Sequence, residues 1–105
     1  MTNHKTLRHV VLFSYTPGTS PEQRQRIADD FASLPGKIPA VRAFEYGDNC
    51  SPENLNDGFE YCFMLSFHSE GERDAYLVHP EHAAFVERLK PWLAKALVVD
   101  YWARG

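Results

Sequence analysis

The sequence predicts an α+β fold: a ferredoxin-like β-α-β-β-α-β chain with an antiparallel four-stranded sheet and helices on one face. Three observations predict it. Apolar residues alternate with period two over four short stretches, Leu7–Tyr15, Val41–Gly47, Phe59–Phe67 and Leu97–Trp102. Two serine-led helix starts, at Ser20 and Ser69, follow the first and third of these. The strands are apolar on both faces although helices cover only one, so an uncovered aromatic face is expected. Monomers avoid such a patch. A two-fold homodimer that stacks two sheets as an α+β barrel or sandwich is the expected remedy.

Each element has its own signal. Leu7, His9, Val11, Phe13 and Tyr15 share one face of the first strand, with Val10 and Leu12 on the other, as in a covered central strand. Thr16-Pro17-Gly18-Thr19 is a turn. Ser20-Pro21-Glu22-Gln23 supplies an N-cap serine, a proline at the first helical position and a glutamine to close a capping box. Ile27, Phe31 and Leu34 make an apolar stripe opposite Arg24, Gln25, Asp29 and Asp30, and Pro35-Gly36 is expected to stop the helix. The second strand alternates over Val41–Gly47. Asp48–Gly58 reads as a polar, mobile connection. In the third strand Phe59, Tyr61, Phe63, Leu65 and Phe67 fill one face. Ser69-Glu70-Gly71-Glu72 is a second capping box. Pro80 has no N–H to donate and pushes His79 out of the α region. The helix that Ser69 starts should therefore end near Val78, turn at His79-Pro80, and restart at Pro80 or Glu81. Ala84, Phe85, Leu89 and Trp92 form the apolar side of the restarted helix. Leu97, Val99 and Tyr101 share a face of the last strand; Trp92, Tyr101 and Trp102 suit core or dimer-interface packing.

The chain has 105 residues, which is the size of one domain, 1–105. At 44% hydrophobic and 13% aromatic it is too apolar for disorder. A net charge of −3 implies no basic face and no nucleic-acid partner. No stretch nears the roughly 18 apolar residues of a membrane span. Met1 to Lys5 is polar, with no apolar run behind it to act as a signal peptide. Cys50 and Cys62 form no CxxC, so reduced thiols in a cytoplasmic chain are expected.

Chemistry-bearing side chains concentrate between Asp74 and Phe85. Tyr76, His79 and His82 follow one another at spacings of three, and the break at Pro80 can turn Tyr76 and His82 toward a common space. Histidine titrates near working pH, so His82 suits a general base; the Tyr76 hydroxyl suits a donor to an enolate in a dry pocket. Phe59, Phe63 and Phe67 could wall that pocket, and no cofactor is needed. The opposing reading makes Tyr76 and His79 supports of the turn, with His82 bonded to a backbone carbonyl or a partner residue. His9, on an apolar strand face, is either a satisfied interior histidine or an orienter of His82. A zinc site from His9, His79 and His82 has no carboxylate or cysteine placed with it. His4, His68, Asp29-Asp30 and Glu70-Glu72 read as surface residues.

Four segments carry a family resemblance: Leu7-Arg8-His9-Val10-Val11-Leu12-Phe13, Ile38-Pro39-Ala40-Val41, Tyr76-Leu77-Val78-His79-Pro80-Glu81-His82 with Phe85, and Val99-Asp100-Tyr101. From Leu7 to Trp102 the chain resembles the stress-responsive A/B barrel (Dabb) family of dimeric α+β barrels. The resemblance implies a homodimer. Some plant members are stable, stress-induced oligomers, and many bacterial members have no assigned reaction. One plant member closes a linear polyketide by aldol condensation; its catalytic tyrosine and histidine correspond to Tyr76 and His82, and a first-strand histidine to His9. A further pocket histidine of that enzyme falls at Tyr61 here, a departure that implies a different substrate. Tyr61, Phe59, Phe63 and His79 are the substrate-binding candidates. Some plant members hold magnesium on backbone carbonyls, which would be those of Pro35, Ile38 and Val41. Three functions follow. The first is a cavity for a small aromatic or polyketide-like ligand, either binding it or acting as a cofactor-free cyclase or lyase. The second is a purely structural stress protein. The third is a cofactor-independent monooxygenase of the related dimeric barrels.

Overall fold

A computed structural model describes residues 5–105; Met1 to His4, and with them the readings made of His4 and of the polar N-terminus, lie outside the described residues. The elements run β1 (Leu7–Tyr15), α1 (Pro21–Lys37), β2 (Ala43–Asp48), β3 (Tyr61–Phe67), α2 (Glu70–Leu77), α3 (Pro80–Leu89), a 3-10 turn (Lys90–Trp92) and β4 (Leu93–Trp102). The sheet order is β2-β3-β1-β4, every neighbour antiparallel, so β1 and β3 are central as their two-sided apolar pattern requires.

Register decides what faces the helices. Leu7, His9, Val11, Phe13 and Tyr15 of β1 are buried. His9 stands opposite Leu65 and Asp100, and Val11 opposite Phe63 and Val98. These partners therefore share the helix-covered side with Phe44 and Tyr46 of β2. Phe31 of α1 stacks on Phe63 at 4.6 Å and meets Phe85 of α3 at 4.7 Å, which ties both helices to the sheet. Each such side chain contributes about 1.5–3 kcal/mol by burial. The aromatic face is thus the covered one, contrary to the expectation that it stands open. The open face is mainly aliphatic: Leu97, Val99 and Tyr101 are 45%, 51% and 46% exposed, beside Val10, Leu12 and Met64.

Several boundaries differ from the sequence reading, each for a local reason. α1 continues through Pro35 to Lys37 instead of stopping at Pro35-Gly36. The missing proline N–H falls in the last turn, Ile38 N–H still donates to the Leu34 carbonyl at 2.8 Å, and Leu34 and Ile38 are buried. Packing outweighs the lost bond. β2 starts at Ala43, because Val41 N–H donates to the Ile38 carbonyl and closes a turn first. β3 starts at Tyr61; Phe59 is held in the loop by its N–H to the Asn56 carbonyl, next to Asn54, Asp57 and Gly58 at positive φ. β4 starts at Leu93, straight from the 3-10 turn, whose Trp92 carbonyl accepts Thr16 N–H.

Three caps set the helices. Ser20 and Ser69 hydroxyls accept the N–H of Gln23 and Glu72. The second box closes differently: the Glu72 carboxylate accepts His68 N–H and pairs with Arg42. α3 begins at Pro80 with His79 as its N-cap, the ring Nδ1 accepting Glu81 N–H at 3.1 Å. Among the described residues no helix is long and apolar enough to cross a membrane.

Candidate functional site

The break between α2 and α3 builds the site. Tyr76 sits one residue before the end of α2 and is 1% exposed. The turn at His79-Pro80 redirects the chain so that His82, in the first turn of α3, lies with its ring 4.6 Å from the Tyr76 ring. His9, in the middle of β1, approaches the other side of Tyr76 at 5.8 Å. The three line a cavity of about 340 Å³ whose other walls include Phe31, Leu77, Phe85, Leu89 and Val98. An apolar pocket with a few convergent polar groups is the usual form of a small-molecule site.

Each polar group has a defined state. His9 Nδ1 lies 2.6 Å from Asp100 Oδ1. A carboxylate only accepts, so Nδ1–H donates and the ring is fixed in one tautomer with Nε2 free of a proton when neutral. Arg73 holds the far oxygen of Asp100 at 3.2 Å and also pairs with Asp74, so the carboxylate is anchored from outside the cavity. Burial pushes the His82 pKa below its ordinary 6.5, a ring N–H bond to the Leu77 carbonyl pulls it back up, and nearby His9 lowers it further. His82 is thus neutral at pH 7, with one nitrogen donating and the other carrying a lone pair. The Tyr76 hydroxyl has no hydrogen-bond partner among the described residues, and burial raises its pKa, so it stays a protonated donor. A lone pair and an O–H donor therefore border one largely apolar space.

The structure brings together Tyr76, His82 and His9 and places the remaining sequence candidates elsewhere. Phe63 and Phe67 are core residues, 1% and 0% exposed; Phe67 packs behind Tyr76 at 5.4 Å, outside the cavity lining. Tyr61 accepts a hydrogen bond from Arg24 at 2.8 Å in a hollow near β2. Phe59 packs under Lys95 at 4.6 Å, in a hollow against Leu12 and Leu97 of the open face. His79 serves α3 as a cap. Sequence reasoning missed Asp100, Arg73 and the Leu77 carbonyl. Asp100 had a signal, an acid inside an apolar strand; the carbonyl had none. Among the described residues no group of three histidine, cysteine or acidic side chains could hold a metal. Pro35, Ile38 and Val41 flank the turn after α1, and the Ile38 carbonyl already accepts Val41 N–H at 3.1 Å. Three neutral carbonyls lack the carboxylate that a magnesium site ordinarily has, so they fit that ion poorly.

The comparisons agree with this architecture. The family model for the stress responsive A/B barrel domain matches residues 7–103. A stress-response A/B barrel domain-containing protein, HS1, of Arabidopsis thaliana is 35% identical, covering 90% of this chain and 87% of its own. Olivetolic acid cyclase of Cannabis sativa is 21% identical over 93% of this chain and 97% of its own. A crystal structure of an Arabidopsis thaliana protein superposes with a TM-score of 0.90 at 33% identity, covering 94% of this chain and 96% of that one. Hydroxynitrile lyase from Passiflora edulis superposes at 0.90 and 24% identity, covering 97% and 96%, a likeness of fold alone. So is that to a dimeric ferredoxin-like protein from Thermobifida fusca, at 0.80 and 23% identity over 94% and 92%. With a family model spanning nearly all of its length and a relative sharing a third of its residues, the chain belongs to the stress-responsive A/B barrel domain family.

Proposed function

We propose that this protein is a homodimeric, cofactor-free cyclase or lyase of the aldol type, acting on a small polyketide-like or aromatic substrate in the cavity under α3. His82 takes a proton from a carbon flanked by carbonyls. The electron pair moves onto the carbonyl oxygen, where the Tyr76 O–H donates to it. The enolate carbon attacks a second carbonyl of the same chain, and the new alkoxide recovers the proton from His82. General-base catalysis of this kind contributes about 10²–10⁴-fold, and one oxyanion donor about 10²–10³-fold. His9, held by Asp100, offers its unprotonated Nε2 from the sheet side as an acceptor for a substrate hydroxyl or enol.

The observation that carries this reading is a phenol and a neutral histidine, their rings 4.6 Å apart, that together line one largely apolar cavity. The family relationship to a protein named as a cyclase supports the reaction class. The open aliphatic face supports the dimer, since a stable interface buries on the order of 800 Å² per partner, and a neighbour of the same fold is described as dimeric. The two free cysteines suit a reducing cytoplasm.

The test is turnover. A linear poly-β-keto acyl thioester is incubated with wild type, His82→Gln and Tyr76→Phe, and ring formation is followed by mass spectrometry. Wild type should cyclise it, and each variant should lose about a hundredfold or more. Equal rates in all three would remove the reading. A second reading, assembly and stability as the whole function, is favoured by one observation: His79 already serves as the cap of α3, its ring accepting Glu81 N–H. No turnover, with both variants chiefly less stable, would select it.

A further inference from the structure

A second hollow, at the β2 edge, is independent of the cavity under α3. It has a volume of about 230 Å³ and lies between the first turns of α1 and the sheet. Arg24, Gln25, Tyr46, Asp48 and Tyr61 form its walls. Arg42, Arg73 and Arg88 are each ion-paired. Arg24 is not: among the described residues its only side-chain hydrogen bond is to the Tyr61 hydroxyl at 2.8 Å, and its Nε is buried with no partner. A half-buried guanidinium with most of its fork unused is an unmet demand for an acceptor. Asp48, in the same hollow, does not meet it, for it makes no ion pair with Arg24. Flat walls complete the hollow: Tyr46 stacks on Phe63 at 5.4 Å and 18°, and Tyr61 lies against Tyr15 at 4.8 Å.

We infer that this hollow binds a small aryl carboxylate, its carboxylate on the free edge of Arg24 and its ring against Tyr46. The fork of arginine matches a carboxylate, and charge-assisted bonds are the stronger kind. The α1 N-terminus, at Pro21 on the rim, adds a partial positive charge that favours an anion. The volume admits a single ring and little more. Asp48 opposes the ligand, which sets the affinity low.

Benzoate is the probe, titrated into the 105-residue protein at neutral pH while the Tyr46, Tyr61, His9 and His82 resonances are followed by NMR. Binding in the millimolar range or tighter is expected, since so small a ligand has few atoms to contribute. Tyr46 and Tyr61 should shift, and His9 and His82 should not. Arg24→Met should weaken binding by about tenfold or more. Asp48→Asn, at an exposed position that the fold tolerates, should tighten it by about threefold. His82→Gln should leave it unchanged, which keeps this proposal separate from the cavity under α3. No binding at several times the millimolar range, shifts confined to His9 and His82, or no gain from Asp48→Asn would each overturn it. The last arm decides even if Arg24→Met fails to fold.

Discussion

Tyr76 has a large buried ring and a hydroxyl that, among the described residues, makes no hydrogen bond. Ring and hydroxyl should therefore separate under mutation. Tyr76→Phe keeps the packing against Phe67 and His82 and should change stability by less than about 1 kcal/mol, whereas Tyr76→Ala should cost about 3–5 kcal/mol, both read by urea denaturation. His82 gives a pH prediction. Its pKa in the fold is below the ordinary 6.5, so the unfolded chain takes up the proton first as pH falls. The stability this residue contributes is fully present above about 6.5 and is lost as pH drops through the lowered value. The stability of wild type relative to His82→Gln should decline over that window, and an unchanged difference would show that His82 is not buried neutral. The spacing Tyr76, His79, His82 was legible because a proline between two histidines can be read from local rules. Asp100 beside His9 was not, since that pairing depends on the register of β1 against β4, which no local pattern carries.

At the scale of elements, the α2–α3 break is both a structural joint and the frame of the site. His79 caps α3 through its ring nitrogen, and the nearby Leu77 carbonyl favours the charged form of His82. His79→Ala should cost about 0.5–2 kcal/mol, in the range of any lost N-cap. It should also loosen His82, visible as faster hydrogen exchange at the start of α3 and not in α1. Helix starts were readable because serine, proline and acidic residues act over three or four positions. Strand starts were less so. Phe59 continues the alternation of β3, yet the bonds of Asn56 hold it in the loop. Pro35 looked like a stop, yet the buried Leu34 and Ile38 carry α1 past it. For Phe59 a tight turn outweighed the alternation, and for Pro35 the burial of its neighbours in the core outweighed a local preference.

For the whole molecule, the sheet has one face filled by aromatic rings under the helices and one open aliphatic face. That both faces are apolar was legible in the sequence; which of them the helices cover was not, because parity alone does not say on which side α1 returns. If the open face joins two copies, Val99→Lys, at a half-exposed position, should convert a dimer to monomers in sedimentation equilibrium while leaving helix content intact by circular dichroism. A variant that sediments like wild type would place the interface elsewhere.

The central claim is that His82 and Tyr76 act together on a ligand inside the cavity. It is met most directly by following the His82 imidazole nitrogens by NMR from acid to neutral pH, with and without a linear poly-β-keto acyl thioester, in wild type and Tyr76→Phe. The account predicts a neutral His82 at pH 7 whose signal moves when the ligand binds, a smaller movement in Tyr76→Phe, and no change at exposed His68. A His82 signal indifferent to the ligand, in a protein that merely loses stability when His82 is replaced, would contradict it.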